Sequence, residues 1–227
     1  LGLLYYNDNQ PEKALVAYKQ VISNYPGSEE AKIALQDLKS VYIDLNDINA
    51  YANYVNSIGG NIRLEVGEQD SLTYIAAEKL FMRGDNDGAR RSLINYLQTF
   101  PEGAFSSNAN FYLGSIAFAK KEFDEAIQRF KSVIASGDTK FLEESVARTA
   151  EIEYLSKDYP AALESFKRLQ IVAENPENRQ AARLGIMRCA LQTGQQKDAL
   201  LAADELLKEP KLSPELEAEA RYVRAKA

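Results

Sequence analysis

The stretch "KEFDEAIQRF" (Lys121 to Phe130) is followed 36 residues later by "KDYPAALESF" (Lys157 to Phe166), with Ala126 over Ala162 and Phe130 over Phe166. The same register finds "NQPEKALVAY" (Asn9 to Tyr18), "GDNDGARRSL" (Gly84 to Leu93) and "GQQKDALLAA" (Gly194 to Ala203). Their alanines, Ala14, Ala89, Ala126, Ala162 and Ala199, are separated by 75, 37, 36 and 37 residues, so the first gap holds two periods. The missing copy is read as "LNDINAYANY" (Leu45 to Tyr54), with Ala50 in the alanine place. Six units of this length are expected to stack as a solenoid, each burying its apolar face only against its neighbours.

Within a unit the alanine lies 12 residues after a small side chain, Gly2, Ala77, Gly114 or Ala150. Helices cross closely only where both present small residues at the contact, so each unit reads as a helical hairpin. Four residues beyond the alanine, Tyr18, Leu93, Phe130 or Phe166 returns to the same helix face and is expected to plug the next hairpin. Pro26 and Pro101, each 12 residues after the alanine, mark ends of second helices. Pro11, Pro160 and Pro214 suit helix starts, where a missing N–H costs nothing, and Ser28, Ser71 and Ser213 suit N-caps. The map is thirteen helices, the first and last being unpaired remnants of hairpins cut at the ends of a longer chain. "SIGGNIRLEVGEQD" (Ser57 to Asp70) interrupts it, either as an extended segment through Ile62, Leu64 and Val66 or as a long connector.

These spacings resemble the tetratricopeptide repeat, whose Leu-Gly-x-x-Tyr, Ala, Phe and Pro appear here as "LGLLY" (Leu1 to Tyr5), Ala14, Tyr18 and Pro26, and again in part as Leu113, Gly114, Ala126 and Phe130. The resemblance implies an all-α, right-handed superhelical solenoid of antiparallel helix hairpins. Its units fall at 1–27, 28–69, 70–103, 104–137, 138–175 and 176–211, with 212–227 opening a further one, all in one continuous domain bent, if anywhere, at the connector. The departures are a unit longer than 34 residues, a second unit without the small first position, and Met187 in that position of the last complete unit.

The chain of 227 residues is 45% apolar and 26% charged, with a net charge of −6, a composition that folds rather than stays disordered. Lys and Arg are not gathered into a stripe, so nucleic acid is not an expected partner. No apolar run approaches the roughly 20 residues of a membrane-spanning helix. Without a single His, Ser-His and Cys-His nucleophiles are excluded and the commonest metal ligand is missing. Cys189, in an apolar helical pattern, reads as a buried and inert thiol. Glu29 with Glu30 and Glu143 with Glu144 read as carboxylates at helix N-termini. Gly59 and Gly60 lack the setting of a phosphate loop, and "GDNDGARR" (Gly84 to Arg91) reads as a hairpin turn rather than a calcium loop. No catalytic residue, cofactor site or metal site is assigned, and the chain is read as not an enzyme.

The surface remains. In the resembled family the first helices line a concave groove that holds partner peptides. Counting from the small position gives Tyr74, Glu78 and Phe81 with Ser71 and Met82; Asn108, Phe111, Ser115 and Phe118; Glu151 and Tyr154 with Glu144, Ala147 and Leu155; and Arg188 with Ala181, Leu184 and Leu191. Each aromatic among them could equally be core. The peptide-clamp members of the family hold a C-terminal carboxylate with Lys and Arg; here those positions are aromatic, amide or acidic. The style of the repeats is similar to long tetratricopeptide proteins and lipoproteins of the Gram-negative cell envelope, which implies a periplasmic or outer-membrane-associated scaffold for protein assembly. A structural spacer or oligomerisation module and a glycan-binding surface are the alternatives, and cut repeat ends could self-associate.

Overall fold

A computed structural model describes residues 1–59, 62–137 and 139–226. Among them are thirteen α-helices: α1 (Gly2–Asn7), α2 (Pro11–Asn24), α3 (Glu29–Asp44), α4 (Ile48–Ile58), α5 (Val66–Met82), α6 (Asn86–Thr99), α7 (Ser106–Ala119), α8 (Phe123–Ser136), α9 (Leu142–Leu155), α10 (Tyr159–Val172), α11 (Pro176–Gln192), α12 (Gln196–Leu207) and α13 (Pro214–Lys226). None is long and apolar enough to cross a membrane. The chain divides into two compact units, Leu1–Ala109 and Asn110–Ala227. The division falls within α7.

The period is written most clearly in the backbone of the hairpin turns. Asn9, Asn46, Gly84, Lys121, Lys157 and Gly194 all have positive φ, between 53° and 82°, and they recur every 36 to 38 residues. The residue after each one donates its N–H back across the turn, as in Gln10 to Tyr5 (2.8 Å), Asp85 to Leu80 (3.0 Å) and Glu122 to Ala117 (2.9 Å). The left-handed residue itself donates to the carbonyl three before it, as in Lys121 to Phe118 (2.9 Å). These paired bonds satisfy the last carbonyls of the first helix in a Schellman arrangement. The following residue then opens the second helix, and Asp47, Asp85 and Asp158 accept from the backbone N–H three residues on. One dipeptide thus ends one helix and starts the next. A left-handed conformation costs a lysine about 1–2 kcal/mol that glycine does not incur, partly offset by glycine's entropy. Lys121→Gly is therefore expected to raise the unfolding free energy by about 0.5–1 kcal/mol, read by urea titration.

This register corrects the second unit. In the other five units the alanine is the fourth residue of the second helix; in α4 that place belongs to Tyr51, 4% exposed, while Ala50 is only half buried. Three further expectations change. α1 is not an unpaired remnant, since it packs on α2 and a Cβ on Gly2 would come within 2.6 Å of the Tyr18 ring. Ser71 lies inside α5, which begins at Val66, so the connector shrinks and contains no strand among its described residues; Gly60 and Asn61 lie outside those residues. The aromatic plug also faces its own hairpin: Phe130 sits on Gly114, 2.8 Å from a Cβ built there, as well as beside Ile152 of the following hairpin. Phe166 does reach the next hairpin, lying against Gly185.

Each unit has its own core. In the first, Ala14, Tyr18, Leu38, Val41, Tyr51, Val55 and Leu72 pack together. In the second, Ala162, Leu163, Phe166, Ile186, Met187, Cys189 and Ala199 join Val223 of α13. Cys189 is fully buried, and desolvation pushes its thiol up to about 11, so it is protonated and unreactive at neutral pH.

Candidate functional site

The second unit carries an open cleft of 360 Å³ between α9 and α11. α9 turns Ser145, Val146, Thr149, Ala150, Ile152 and Glu153 inward. The remaining face, with Glu144, Ala147, Arg148, Glu151, Tyr154 and Leu155, forms one wall. α11 buries Ala182, Gly185, Ile186 and Cys189 and supplies the other wall through Asn178, Ala181, Leu184 and Arg188. The cleft also reaches Phe166 and Leu169 of α10. Gly185 lets the Phe166 ring lie against the α11 backbone, where any side chain would collide with it. Tyr154 meets Phe166 edge-on, with ring centroids 6.4 Å apart, and meets Tyr159 at 5.7 Å. Ala147 and Ala181 keep the walls low, so the apolar lining stays reachable from solvent.

The charges of the cleft are arranged in pairs. Arg148 donates Nε to Glu144 Oε1 and Nη1 to Glu151 Oε2, both at 2.8 Å, and its guanidinium lies 5.0 Å from the centre of the Phe118 ring. Burial lowers the Arg148 pKa, but the two carboxylates outweigh it and hold the pKa above its ordinary value. Arg188 donates Nε and Nη2 to the two oxygens of Glu219 on α13, at 2.8 and 2.7 Å. This two-pronged geometry raises the Arg188 pKa and lowers that of Glu219.

Glu143, next to the wall, fixes where α11 begins. Its carboxylate accepts from the backbone N–H of Glu174 (2.8 Å) and Asn175 (3.1 Å) and from Asn178 Nδ2 (2.7 Å). Desolvation opposes ionisation, but these donors prevail and lower the Glu143 pKa below its ordinary 4.5. In the first unit Asp70 stands in the same register, seven residues before the small position. It accepts from Tyr96 Oη (2.5 Å) and the Ala104 N–H (2.9 Å), and the Tyr96 hydroxyl in turn accepts the Phe105 N–H (3.0 Å). Burial first, then Asp70, pushes the Tyr96 phenol well above its ordinary range. Both carboxylates latch the segment that enters the next hairpin. Because the folded pKa of Glu143 is depressed, its contribution is complete above about pH 4.5 and is lost as pH falls through the lower folded value. Glu143→Gln is expected to cost about 0.5–1 kcal/mol at neutral pH, since the backbone bonds it loses face solvent, and the gap from wild type should narrow below pH 4.5 in urea titrations.

The residues read from the sequence as a groove separate into distinct settings. Glu151, Tyr154 and Arg188 line the cleft together, and Phe118 touches it through Arg148. In the first unit Tyr74 is only 2% exposed, stacked on Phe105 at 4.4 Å. Its hydroxyl donates to Glu78 (2.6 Å) and accepts from Asn108 (3.2 Å), which joins those three in one chain of hydrogen bonds. Phe81 is half-buried on the same helix as Tyr74. Phe111 is half-buried and stacked on Phe141 at 4.2 Å, and Ser115 donates to the Phe111 carbonyl (2.9 Å). Arg148, Asn178, Gly185 and the α10 residues Phe166 and Leu169 escaped the sequence reading of the cleft. The helical spacing of Arg148 from Glu144 and Glu151 was the available signal for the first of them.

The first unit has an equivalent opening of 470 Å³ along α1, α2 and α3. Tyr18, Val21 and Ile33 there occupy the register places of Phe166, Leu169 and Ala181. The arrangement of the cleft thus occurs in both compact units. Among the described residues no group of three or more Asp, Glu or Cys could hold a metal ion.

The tetratricopeptide-repeat family matches residues 1–28 and again residues 76–139. Solved structures with the same fold include PilW, a widely conserved type IV pilus biogenesis factor, at 14% identity and a TM-score of 0.50 over 96% of this chain and 94% of that one. The C-terminal part of a TPR repeat-containing protein from Cytophaga hutchinsonii has 15% identity and a TM-score of 0.51 over 91% and 77%. YrrB, described as a TPR protein with an unusual peptide-binding site, has 13% identity and a TM-score of 0.52 over 91% and 98%. No curated protein sequence matches the chain.

Proposed function

Starting from a tetratricopeptide-repeat protein, we propose that this chain is a non-catalytic scaffold that holds a segment of another protein in the α9–α11 cleft, in the service of cell-envelope protein assembly. The observation that carries the reading is the cleft itself: apolar side chains reachable from solvent, walled by α9 and α11 and edged by ion pairs. A volume of 360 Å³ suits one or two side chains of a bound segment rather than a large cofactor. Glu151, Tyr154 and Arg188 are the sequence-read residues that would touch it. The peptide-binding site of YrrB, on a fold of this kind, is consistent with that use. The envelope setting rests on the wording of the repeats and on the pilus-biogenesis role carried in the description of PilW.

Selection of a displayed random-peptide library tests the groove. Ala147→Trp and Ala181→Trp fill the walls; Ala181 is exposed while Ala147 is half-buried against the core, so the Ala181→Trp melt should match wild type and the Ala147→Trp melt is measured beside it. Peptides retained by wild type are expected to lose at least about tenfold in affinity on both variants, equivalent to 1.4 kcal/mol. Equal retention by wild type and both variants would refute the groove. Fractionation of the native host tests the setting, with recovery in the cytosol as the adverse result.

A further inference from the structure

The charge arrangement of the cleft selects among peptides, and this inference rests on the groove reading above. Three carboxylates, those of Glu144, Glu151 and Glu219, stand against two guanidinium groups. Both arginines are already committed: Arg148 to Glu144 and Glu151, and Arg188 to both oxygens of Glu219. An incoming carboxylate would have to displace an intramolecular one to reach either. The acids are less committed. Arg148 engages Oε1 of Glu144 and Oε2 of Glu151; the other oxygen of each accepts no hydrogen bond among the described residues. Their side chains are 42% and 46% exposed at the cleft edge. Beside them Leu155 is 54% exposed, with Ala147 and Leu184 lining the same opening.

We infer that the occupant is a cationic amphipathic segment, in which a bulky apolar side chain enters the cleft while a Lys or Arg within about one turn binds Glu144 and Glu151. The apolar anchor supplies affinity and the charges supply selection, since complementary potentials discriminate between partners more than they strengthen binding. A segment presenting Asp, Glu or a terminal carboxylate meets the surplus negative charge and is rejected.

Sequencing of the displayed-library pool gives the test. Peptides that wild type retains and Ala147→Trp loses should carry an excess of Lys and Arg over Asp and Glu of at least about threefold relative to the starting library, next to Leu, Met or Phe. Glu144→Gln combined with Glu151→Gln removes the acids and releases Arg148. A synthetic copy of the most enriched basic peptide should then bind about tenfold more weakly, and its Lys-to-Glu counterpart should bind more tightly than it does to wild type. If the double variant melts early, Glu151→Gln alone carries the same comparison. Cleft-dependent peptides without a basic excess, or a basic peptide indifferent to the loss of both acids, would overturn the inference while leaving the groove intact. A library with no cleft-dependent peptide at all would overturn the groove reading together with it.

Discussion

Phe130→Ala is expected to lower the unfolding free energy by about 3–5 kcal/mol, the usual cost of deleting a large aromatic side chain from a packed core. The ring is fully buried among Ala117, Ala126 and Ile152, with Phe111 6.1 Å away. It lies so close to Gly114 that any side chain there would intrude on it. The cavity left by its removal is walled by backbone on one side, which cannot collapse to fill it. In a repeat array each hairpin leans only on its neighbours, so lost amide-exchange protection should centre on α7, α8 and α9. A melt unchanged from wild type would mean that the plug position has been assigned to the wrong residue.

Tyr74→Ser should be nearly as costly, at about 3–5 kcal/mol. Read from sequence as a groove residue, Tyr74 would be removable without loss of stability. Its burial, its stacking on Phe105 and its edge contact with Tyr96 at 5.8 Å reverse that expectation. The substitution also removes the hydroxyl between Glu78 and Asn108. Tyr74→Phe separates the two effects, since it keeps the stacking and deletes only the hydrogen bonds, at about 1 kcal/mol. Urea titration of the three proteins checks the ordering, and a Tyr74→Ser variant as stable as wild type would return the ring to an open surface.

The legible part of the fold was the part enforced by sterics. Ala126 and Ala162 recur because a helix crossing admits nothing larger, and Phe130 and Phe166 because each ring fills the space a glycine leaves on a facing helix, Gly114 in its own hairpin for the one and Gly185 in the next for the other. Where the crossing tolerates Tyr51, matching alanine to alanine slips by one residue onto Ala50. The Asn46–Asp47 dipeptide holds the true register, because left-handed backbone and helix cap come in sequence at every hairpin turn. Counting along the inner helices found one face of the cleft, including Glu144, Ala147, Tyr154, Leu184 and Arg188. It could not find Phe166 and Leu169, which reach the cleft from α10. Nor could it anticipate Asp70 and Glu143 as latches, because their partners are mostly backbone N–H groups 31 to 34 residues away, and backbone leaves no mark in sequence.

The central claim is that the α9–α11 cleft receives a peptide segment, and methyl-resolved NMR of the whole chain, titrated with a library-derived peptide, tests it most directly. The methyls of Ala147, Leu155, Ala181 and Leu184 should shift together and saturate at one affinity, while those of Ile171, 83% exposed and outside the cleft, stay in place. Shifts concentrated on Ile171 and other methyls away from the cleft, with the four cleft methyls unmoved, would contradict the account.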